Sequence, residues 1–205
     1  CLHDPAPPPK ELTKSLSPSD LGGAKALPGE SGWDEERAKS HGTLVHAHIE
    51  RLSAVAPEIL GDYRSDVEWT PDNVAAQQEA IRVLTDPALR FLFASRWLSE
   101  VSVTADLGRE KLAGKIDHLL FEPGRILAID FKTNRTVPAS AEDVPEGILR
   151  QMGAYLHALQ QIYPGQSIET GIVWTNAPLF MPLPHETVMR ALRNTPYLDA
   201  AGSAP

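Results

Sequence analysis

Residues 114–134 read GKIDHLLFEPGRILAIDFKTN, in which two apolar runs flank the turn EPGR. Apolar runs of this length on either side of a Pro-Gly turn predict two antiparallel strands. If the loop is symmetric about the Pro-Gly bond, Asp117 lies directly opposite Asp130. Side chains alternate between the two faces of a strand, so Lys132 shares the face of Asp130. The sequence therefore predicts one patch that holds two carboxylates and a lysine.

The rest of this hairpin is apolar on both faces. The face of the carboxylates is predicted to carry Leu119, Phe121, Ile126 and Ala128, and the other face Ile116, Leu120, Leu127, Ile129 and Phe131. Such a hairpin belongs in a buried sheet, where two unpaired carboxylates are costly. A divalent cation would remove that cost, and oxygen ligands favour magnesium or manganese over zinc. A lysine beside the cation would help water to attack a phosphodiester.

A simpler interpretation of the same residues stays open. Asp117 and Asp130 could be separate solvated residues at strand ends, with Lys132 extended toward water. The pattern Asp-x-Lys is common by chance, and a single β-bulge would shift the register and separate the two carboxylates. The cross-strand register is what gives the pattern its weight.

The flanking sequence predicts further elements in a definite order. Helical periodicity covers about 43–56, 72–84 and 87–98, and residues 27–40 look loop-like. Alternation at 100–104 predicts a strand that completes a three-stranded meander with the hairpin. A long amphipathic helix over 148–162 precedes a further strand at 168–175. Helices, three strands, a helix and a strand predict an α/β fold with a small mixed β-sheet flanked by helices.

Length and composition set broad limits on the protein. A chain of 205 residues suits one domain, expected at 17–195, after a Pro-rich linker at 1–16 and before a tail at 196–205. The absence of a starting Met predicts that the chain is part of a longer protein. Cys1 is the single cysteine, which excludes a Cys-based zinc site or a self-contained iron–sulfur cluster and fits a reducing cytoplasm. No apolar run is long enough to span a membrane, and no Walker-type ATP motif is present.

The net charge of −8 argues against a free-standing, high-affinity DNA binder. It is compatible with an enzyme that gathers carboxylates around metal ions while other domains hold DNA. His46 and His48 cannot face one site on a helix, and a lone helical histidine is more often structural. Gln151 and Tyr155 form an i, i+4 pair on the long helix, where Tyr155 could simply be core.

Several motifs together resemble the RecB-like branch of the PD-(D/E)XK nucleases, a group with a restriction-endonuclease-like core. Within that branch, the chain resembles the C-terminal nuclease domain of the AddA family of helicase–nucleases, which act in double-strand-break repair. The resemblance covers about 17–190 and rests on Ser17–Leu21, Gly42–His46 (GTLVH), Gly114–Asp117 (GKID), Asp130–Asn134 (DFKTN), Gln151–Tyr155 (QMGAY) and Ile172–Thr175 (IVWT).

The resemblance implies a role for each matched position. His46, Asp117, Asp130 and the backbone carbonyl of Phe131 would bind Mg²⁺, in a site that also accepts Mn²⁺ or Ca²⁺. Lys132 would be the catalytic lysine. The resemblance further implies an exonuclease-type DNA hydrolase in the bacterial cytoplasm, joined to upstream helicase domains and paired with an AddB-type subunit. Supporting or DNA-contacting roles would fall to Gln151, Tyr155 and Glu100.

Two other functions stay open at this point. The chain could be a catalytically silent DNA-binding or docking module of the same helicase, which would bind magnesium weakly. It could also be an unrelated metal-dependent phosphoesterase that acts on small molecules. Cleavage of a nucleotide ester without cleavage of DNA would favour the second of these.

Overall fold

The computed structural model describes residues 15–26, 34–60, 63, 70–94, 96–108 and 110–195. Most of the predicted linker and all of the predicted tail at 196–205 lie outside these residues. The helices are α1 (Glu35–Leu52), α2 (Pro57–Leu60), α3 (Pro71–Thr85), α4 (Phe91–Ala94), α5 (Glu146–Ile162) and α6 (His185–Arg193). The strands are β1 (Arg96–Leu107), β2 (Glu110–Glu122), β3 (Arg125–Lys132), β4 (Ser167–Trp174) and β5 (Leu179–Leu183).

The five strands form one mixed sheet in the order β1-β2-β3-β4-β5. Among the five strands of the described residues, β3 and β4 are the parallel pair, because α5 provides the crossover between them. The other neighbouring pairs are antiparallel. This mixed sheet flanked by helices confirms the predicted α/β architecture.

The β2–β3 hairpin has the predicted register, with pairs from Glu122↔Arg125 to His118↔Ile129. The ladder ends there, one pair before Asp117 and Asp130. Instead of facing Asp130 in the ladder, the Asp117 carboxylate accepts the backbone N–H of Phe131 at 2.9 Å. The regular pairing of β2 with β3 therefore ends at the point where the acidic residues lie.

Two hydrophobic cores lie on opposite faces of the sheet, one under α5 and α6 and the other under α1 and α3. Ile126 and Ala128 of β3 pack toward α5, and Leu127, Ile129 and Phe131 pack toward α1 and α3, as predicted. The prediction for Ile116 was wrong, because this residue packs in the α5 core with Leu119.

A break in the β1–β2 ladder explains the position of Ile116. The pairs Ser99↔His118 and Val101↔Ile116 flank a position where Glu100 and Asp117 should pair and do not. Glu100 has a φ of 52°, in the left-handed region that a non-glycine residue rarely occupies. Such a residue turns β1 locally. In β2, Ile116 and Leu119 pack in the same core although they are three residues apart, so the side-chain alternation of β2 changes near Asp117.

Two helix predictions needed correction. Helix α1 begins at Glu35, within the predicted loop, because the Asp34 carboxylate accepts the N–H of Arg37 and caps the first turn. Of the predicted helix at 87–98 only Phe91–Ala94 is helical, since residues 87–90 form turns and β1 begins at Arg96. There Trp97 stacks on His118 with ring centroids 5.1 Å apart, and this contact outweighs local helix propensity.

The N-terminal segment is tied to the open edge of β2. Leu16, within the predicted linker, donates its N–H to the Lys111 carbonyl and accepts the N–H of Ala113. The N-terminal segment can approach β2 closely because residue 114 is glycine, and a Cβ there would lie 2.5 Å from the Pro18 ring. Residues Pro18–Asp20 of this segment form a short 3-10 helix. Among the described residues, none of the helices has the length and apolar character needed to cross a membrane.

Candidate active site

Helix α1 brings His46 to the break between β1 and β2. Val45, Ile49 and Leu52 bury one face of α1, and His46 lies on the flank beside that face. His48 points elsewhere and contacts the Asn73 side chain at 2.6 Å. The two histidines thus occupy different surroundings, as their spacing predicted.

The His46 ring lies between two groups of the hairpin. Its Nε2 donates to the Phe131 carbonyl at 2.8 Å, and its Nδ1 lies 3.5 Å from an oxygen of Asp117. In the protonated ring Nδ1 also carries a hydrogen, which points to the Asp117 carboxylate. The same Asp117 oxygen accepts the Phe131 N–H, so one carboxylate fixes both the histidine and the strand end.

A second group surrounds Asp130, which is almost fully buried. Gln151 donates through Nε2 to Asp130 Oδ1 at 2.8 Å and to the Tyr155 hydroxyl at 2.9 Å. The Tyr155 hydroxyl in turn donates to the Lys115 carbonyl at 2.6 Å. Lys132 Nζ lies 2.5 Å from Asp130 Oδ2 and donates to Gln151 Oε1 at 3.3 Å. Gln151 and Tyr155, the i, i+4 pair of α5, therefore hold the Asp130 carboxylate from the α5 side of the sheet.

The two carboxylates differ in their electrostatic surroundings. Burial raises the pKa of Asp117, but the hydrogen bond and charge of His46, with Lys132, outweigh burial and hold it below its ordinary value. Burial raises the pKa of Asp130, and Lys132 offsets this only in part because the charge of Asp117 adds to it. Without a further positive charge, the folded protein therefore resists holding both carboxylates ionised.

The site offers a donor set that fits a divalent cation. One ligand atom each from His46, Glu100 and Asp117 lie within 4.8 Å of one another. Asp130 is outside this group of three. Its buried Oδ2 forms the ion pair with Lys132 and accepts no other hydrogen bond from the described residues. Carboxylate oxygens with one imidazole suit magnesium or manganese. Glu100 is held at the site by Lys115, whose Nζ lies 3.0 Å from its carboxylate.

The cation group opens into a cleft of about 650 Å³ between α1, the N-terminal segment and the end of β3. Its lining includes Lys25 and Lys39 together with Lys132 and Asn134. Lys25 and Lys39 were not predicted, because neither belongs to a motif and their positions depend on tertiary packing. The cleft thus has an acidic centre with lysines along its walls, which suits a polyanionic chain that crosses a cation site.

Every predicted site residue lies within the described part of the chain. His46, Asp117 and Glu100 come together at the ladder break, and Asp130, Lys132, Gln151 and Tyr155 form the adjoining network. The Phe131 carbonyl lies between the two groups and accepts the His46 N–H in this arrangement. Glu100, which the resemblance placed among supporting residues, is a member of the cation group.

Comparison with known protein families gives a match over most of the chain. The model of the PD-(D/E)XK nuclease superfamily matches residues 23–190. This range contains all five strands and every residue of the site described above.

Two individual proteins are also similar to parts of the chain. An L-cysteine:1D-myo-inositol 2-amino-2-deoxy-alpha-D-glucopyranoside ligase of Geodermatophilus obscurus is 31% identical over 119 residues, which are 55% of this chain and 26% of that protein. The chain thus spans about a quarter of the length of this curated relative. A solved structure described as the crystal structure of SSO0001 has a TM-score of 0.34 and 16% identity, and the match covers 78% of this chain and 75% of that one.

Proposed function

The chain belongs to the PD-(D/E)XK nuclease superfamily, and we propose that it is a Mg²⁺-dependent deoxyribonuclease of the exonuclease type. Membership of this superfamily supports phosphodiester hydrolysis in general, and DNA as substrate is the specific proposal. The observation that carries it is the cation group of His46, Glu100 and Asp117, which lies in a cleft beside the Asp130–Lys132 ion pair.

The ligands proposed for the cation are His46, Asp117, Asp130 and the Phe131 carbonyl, with Glu100 added from its position in the structure. When bound, a divalent cation supplies Lewis-acid activation of water and neutralises charge that develops on the phosphate. The fit rests on the donor set, since ligand atoms of His46, Glu100 and Asp117 lie within 4.8 Å of one another and the buried Asp130 carboxylate lies beside them.

The chain's own residues have separate tasks in this proposal. Lys132 lines the cleft and would orient the attacking water or stabilise negative charge on the phosphate oxygens. Gln151 holds Asp130 through its amide nitrogen and Lys132 through its amide oxygen. Tyr155 fixes that amide and anchors it to the Lys115 carbonyl.

We further propose that the chain is the nuclease domain of an AddA-like helicase–nuclease in the bacterial cytoplasm. Its partners would be DNA, the upstream helicase domains of the same polypeptide and an AddB-type subunit. The motif resemblance supports this proposal. The net charge of −8 agrees with it, since other domains would then provide most of the affinity for DNA.

The test is degradation of end-labelled linear single- and double-stranded DNA by the chain, with Mg²⁺ and with EDTA. Lys132→Ala and Asp130→Ala should abolish cleavage, and Lys111→Ala is the matched control. Lys111 also pairs with an aspartate, Asp106, but on the exposed far end of β2. Circular dichroism establishes that each variant is folded.

Each result separates the functions considered. Mg²⁺-dependent cleavage by the wild type and Lys111→Ala, and none by Lys132→Ala, supports the nuclease. A folded wild type that leaves DNA intact both alone and within a helicase complex supports a docking module. Hydrolysis of a nucleotide ester, with DNA left intact, supports a small-molecule phosphoesterase instead.

A further inference from the structure

A buried carboxylate that the proposed chemistry does not use lies on α3. Glu79 is only 6% exposed and sits against the sheet face opposite α5. A carboxylate in such surroundings is costly unless hydrogen bonds compensate its lost hydration. Its partners therefore indicate what the charge does in this fold.

Glu79 joins two elements that border the active site. One oxygen lies 2.9 Å from Nε2 of His41, on the same helix as His46. The other oxygen accepts the hydroxyl of Thr175, the residue that directly follows β4. His41, Glu79 and Thr175 are all buried, so water does not compete for these contacts.

Thr175 extends this connection to the backbone of Lys132. Its N–H donates to the Lys132 carbonyl at 2.9 Å. Its hydroxyl also lies 3.2 Å from that carbonyl, but a hydroxyl has one proton and the Glu79 carboxylate is the stronger acceptor. The backbone N–H of Thr175 thus holds Lys132, and Glu79 holds Thr175.

We propose that Glu79 is a positioning residue, which links helix α1 to the end of β3 through Thr175 and so fixes Lys132 relative to His46. The inference rests on the proposed nuclease function for its effect on catalysis. The hydrogen bonds themselves predict a local ordering of residues 131–134 that does not depend on the reaction. A misplacement of about 1 Å at a reacting centre can lower a rate roughly 100-fold.

Thr175→Val is the direct test, because valine has the shape of threonine and lacks its hydroxyl. Thr170→Val is the matched control, since Thr170 is similarly buried within β4, the strand that Thr175 follows, and its hydroxyl has no hydrogen-bond partner among the described residues. Thr175→Ser restores the hydroxyl. We measure kcat and KM on linear DNA with Mg²⁺, and amide hydrogen exchange of peptides that cover 131–134.

Thr175→Val should lower kcat roughly 10- to 100-fold with KM nearly unchanged, and should speed exchange at 131–134. Thr170→Val should match the wild type, and Thr175→Ser should recover most of kcat. Equal kcat and equal exchange for Thr175→Val and Thr170→Val would overturn the proposal. If Thr175→Val does not fold, Glu79→Gln replaces it, because its neutral amide oxygen accepts more weakly. A kcat and an exchange rate equal to those of the wild type would then overturn the proposal.

The two proposals fail in different ways. A wild type that cleaves no DNA, with faster exchange at 131–134 in Thr175→Val alone, would refute the nuclease function and leave the positioning of Lys132 established. An active wild type whose kcat and exchange are unaffected by Thr175→Val would refute the role of Glu79 and leave the nuclease function intact.

Discussion

Replacement of Gln151 by methionine tests whether the acidic patch is braced as the structure shows. Methionine has nearly the length and helix propensity of glutamine, so α5 keeps its packing. The change removes the donors to Asp130 Oδ1 and to the Tyr155 hydroxyl, and the acceptor for Lys132. Tyr155 keeps its hydrogen bond to the Lys115 carbonyl.

The magnitude follows from the kind of hydrogen bond that is lost. A hydrogen bond to a charged group contributes about 1.5–3 kcal/mol, and a neutral one about 1 kcal/mol. The contact with Lys132 is long and partly exposed, so its loss adds little. We therefore expect Gln151→Met to lower the free energy of unfolding by about 3 kcal/mol. For a domain of this size the melting temperature should fall by roughly 6–12 °C.

Gln77→Met is the matched control for this change. Gln77 is as buried as Gln151, but its side-chain hydrogen bond to the Tyr63 carbonyl is neutral and long, at 3.5 Å. It should lose less than about 1 kcal/mol. Urea unfolding of both variants in EDTA measures the difference. If Gln151→Met is no less stable than Gln77→Met, the bracing of Asp130 by Gln151 is refuted.

The pH dependence of this difference adds a second check. Burial raises the pKa of Asp130, with the charge of Asp117 adding to it and Lys132 opposing it. The Gln151 donor favours the ionised form of Asp130. As the pH falls through this raised pKa, the acceptor becomes neutral and the bond weakens. The difference between wild type and Gln151→Met should therefore shrink toward acid pH, and a difference that grows would contradict the assignment.

Three further predictions concern the cation group. Burial lowers the pKa of His46, but its hydrogen bond to Asp117 and the nearby carboxylates outweigh burial and raise the pKa above 6.5. The folded state thus favours the protonated ring. In EDTA, the wild type should therefore have its full stability advantage over His46→Gln below pH 6.5, and should lose this advantage as the pH rises through the raised pKa of His46. An advantage that grows toward alkaline pH would contradict this sign. Mg²⁺ at about ten times its Kd should stabilise the wild type by about 1.4 kcal/mol and raise its melting temperature by roughly 3–5 °C. Asp117→Asn should respond far less, and an equal response would remove Asp117 from the ligand set. Glu100→Gly should be more stable than Glu100→Ala by about 1 kcal/mol in urea unfolding, because alanine retains the cost of a positive φ. Greater stability of the alanine variant would show that the backbone there is not left-handed.

The hairpin was predictable because its signals are local. The Pro-Gly turn and two apolar runs fix the register of residues 118–129, and the structure has that register. The separation of His46 from His48 follows from helix geometry alone. The start of α1 was missed although Asp34 is a good capping residue, because no apolar periodicity accompanies it.

Elements that depend on distant contacts were predicted less well. The sequence from Phe91 to Leu98 has helical character, but pairing with β2 and the stacking of Trp97 on His118 extend β1 into it. Strand β5 and helix α6 were not predicted. The signal for α6 was present, since its buried residues Thr187, Val188, Ala191 and Leu192 recur at helical spacing. The cleft lysines lie outside any motif and meet the site only through folding.

Glu100 shows most clearly what a local pattern leaves out. The alternation at 100–104 predicts an ordinary strand, yet Glu100 has a left-handed backbone that costs on the order of 1–3 kcal/mol. Glycine would relieve this cost but would remove the Glu100 carboxylate from the group that it forms with His46 and Asp117. A strained glutamate at the ladder break is difficult to explain by stability, because its ion pair with Lys115 is partly exposed and weak. Its position within 4.8 Å of two other ligand atoms gives the strain a functional reason, and the comparison of Glu100→Gly with Glu100→Ala measures the strain itself.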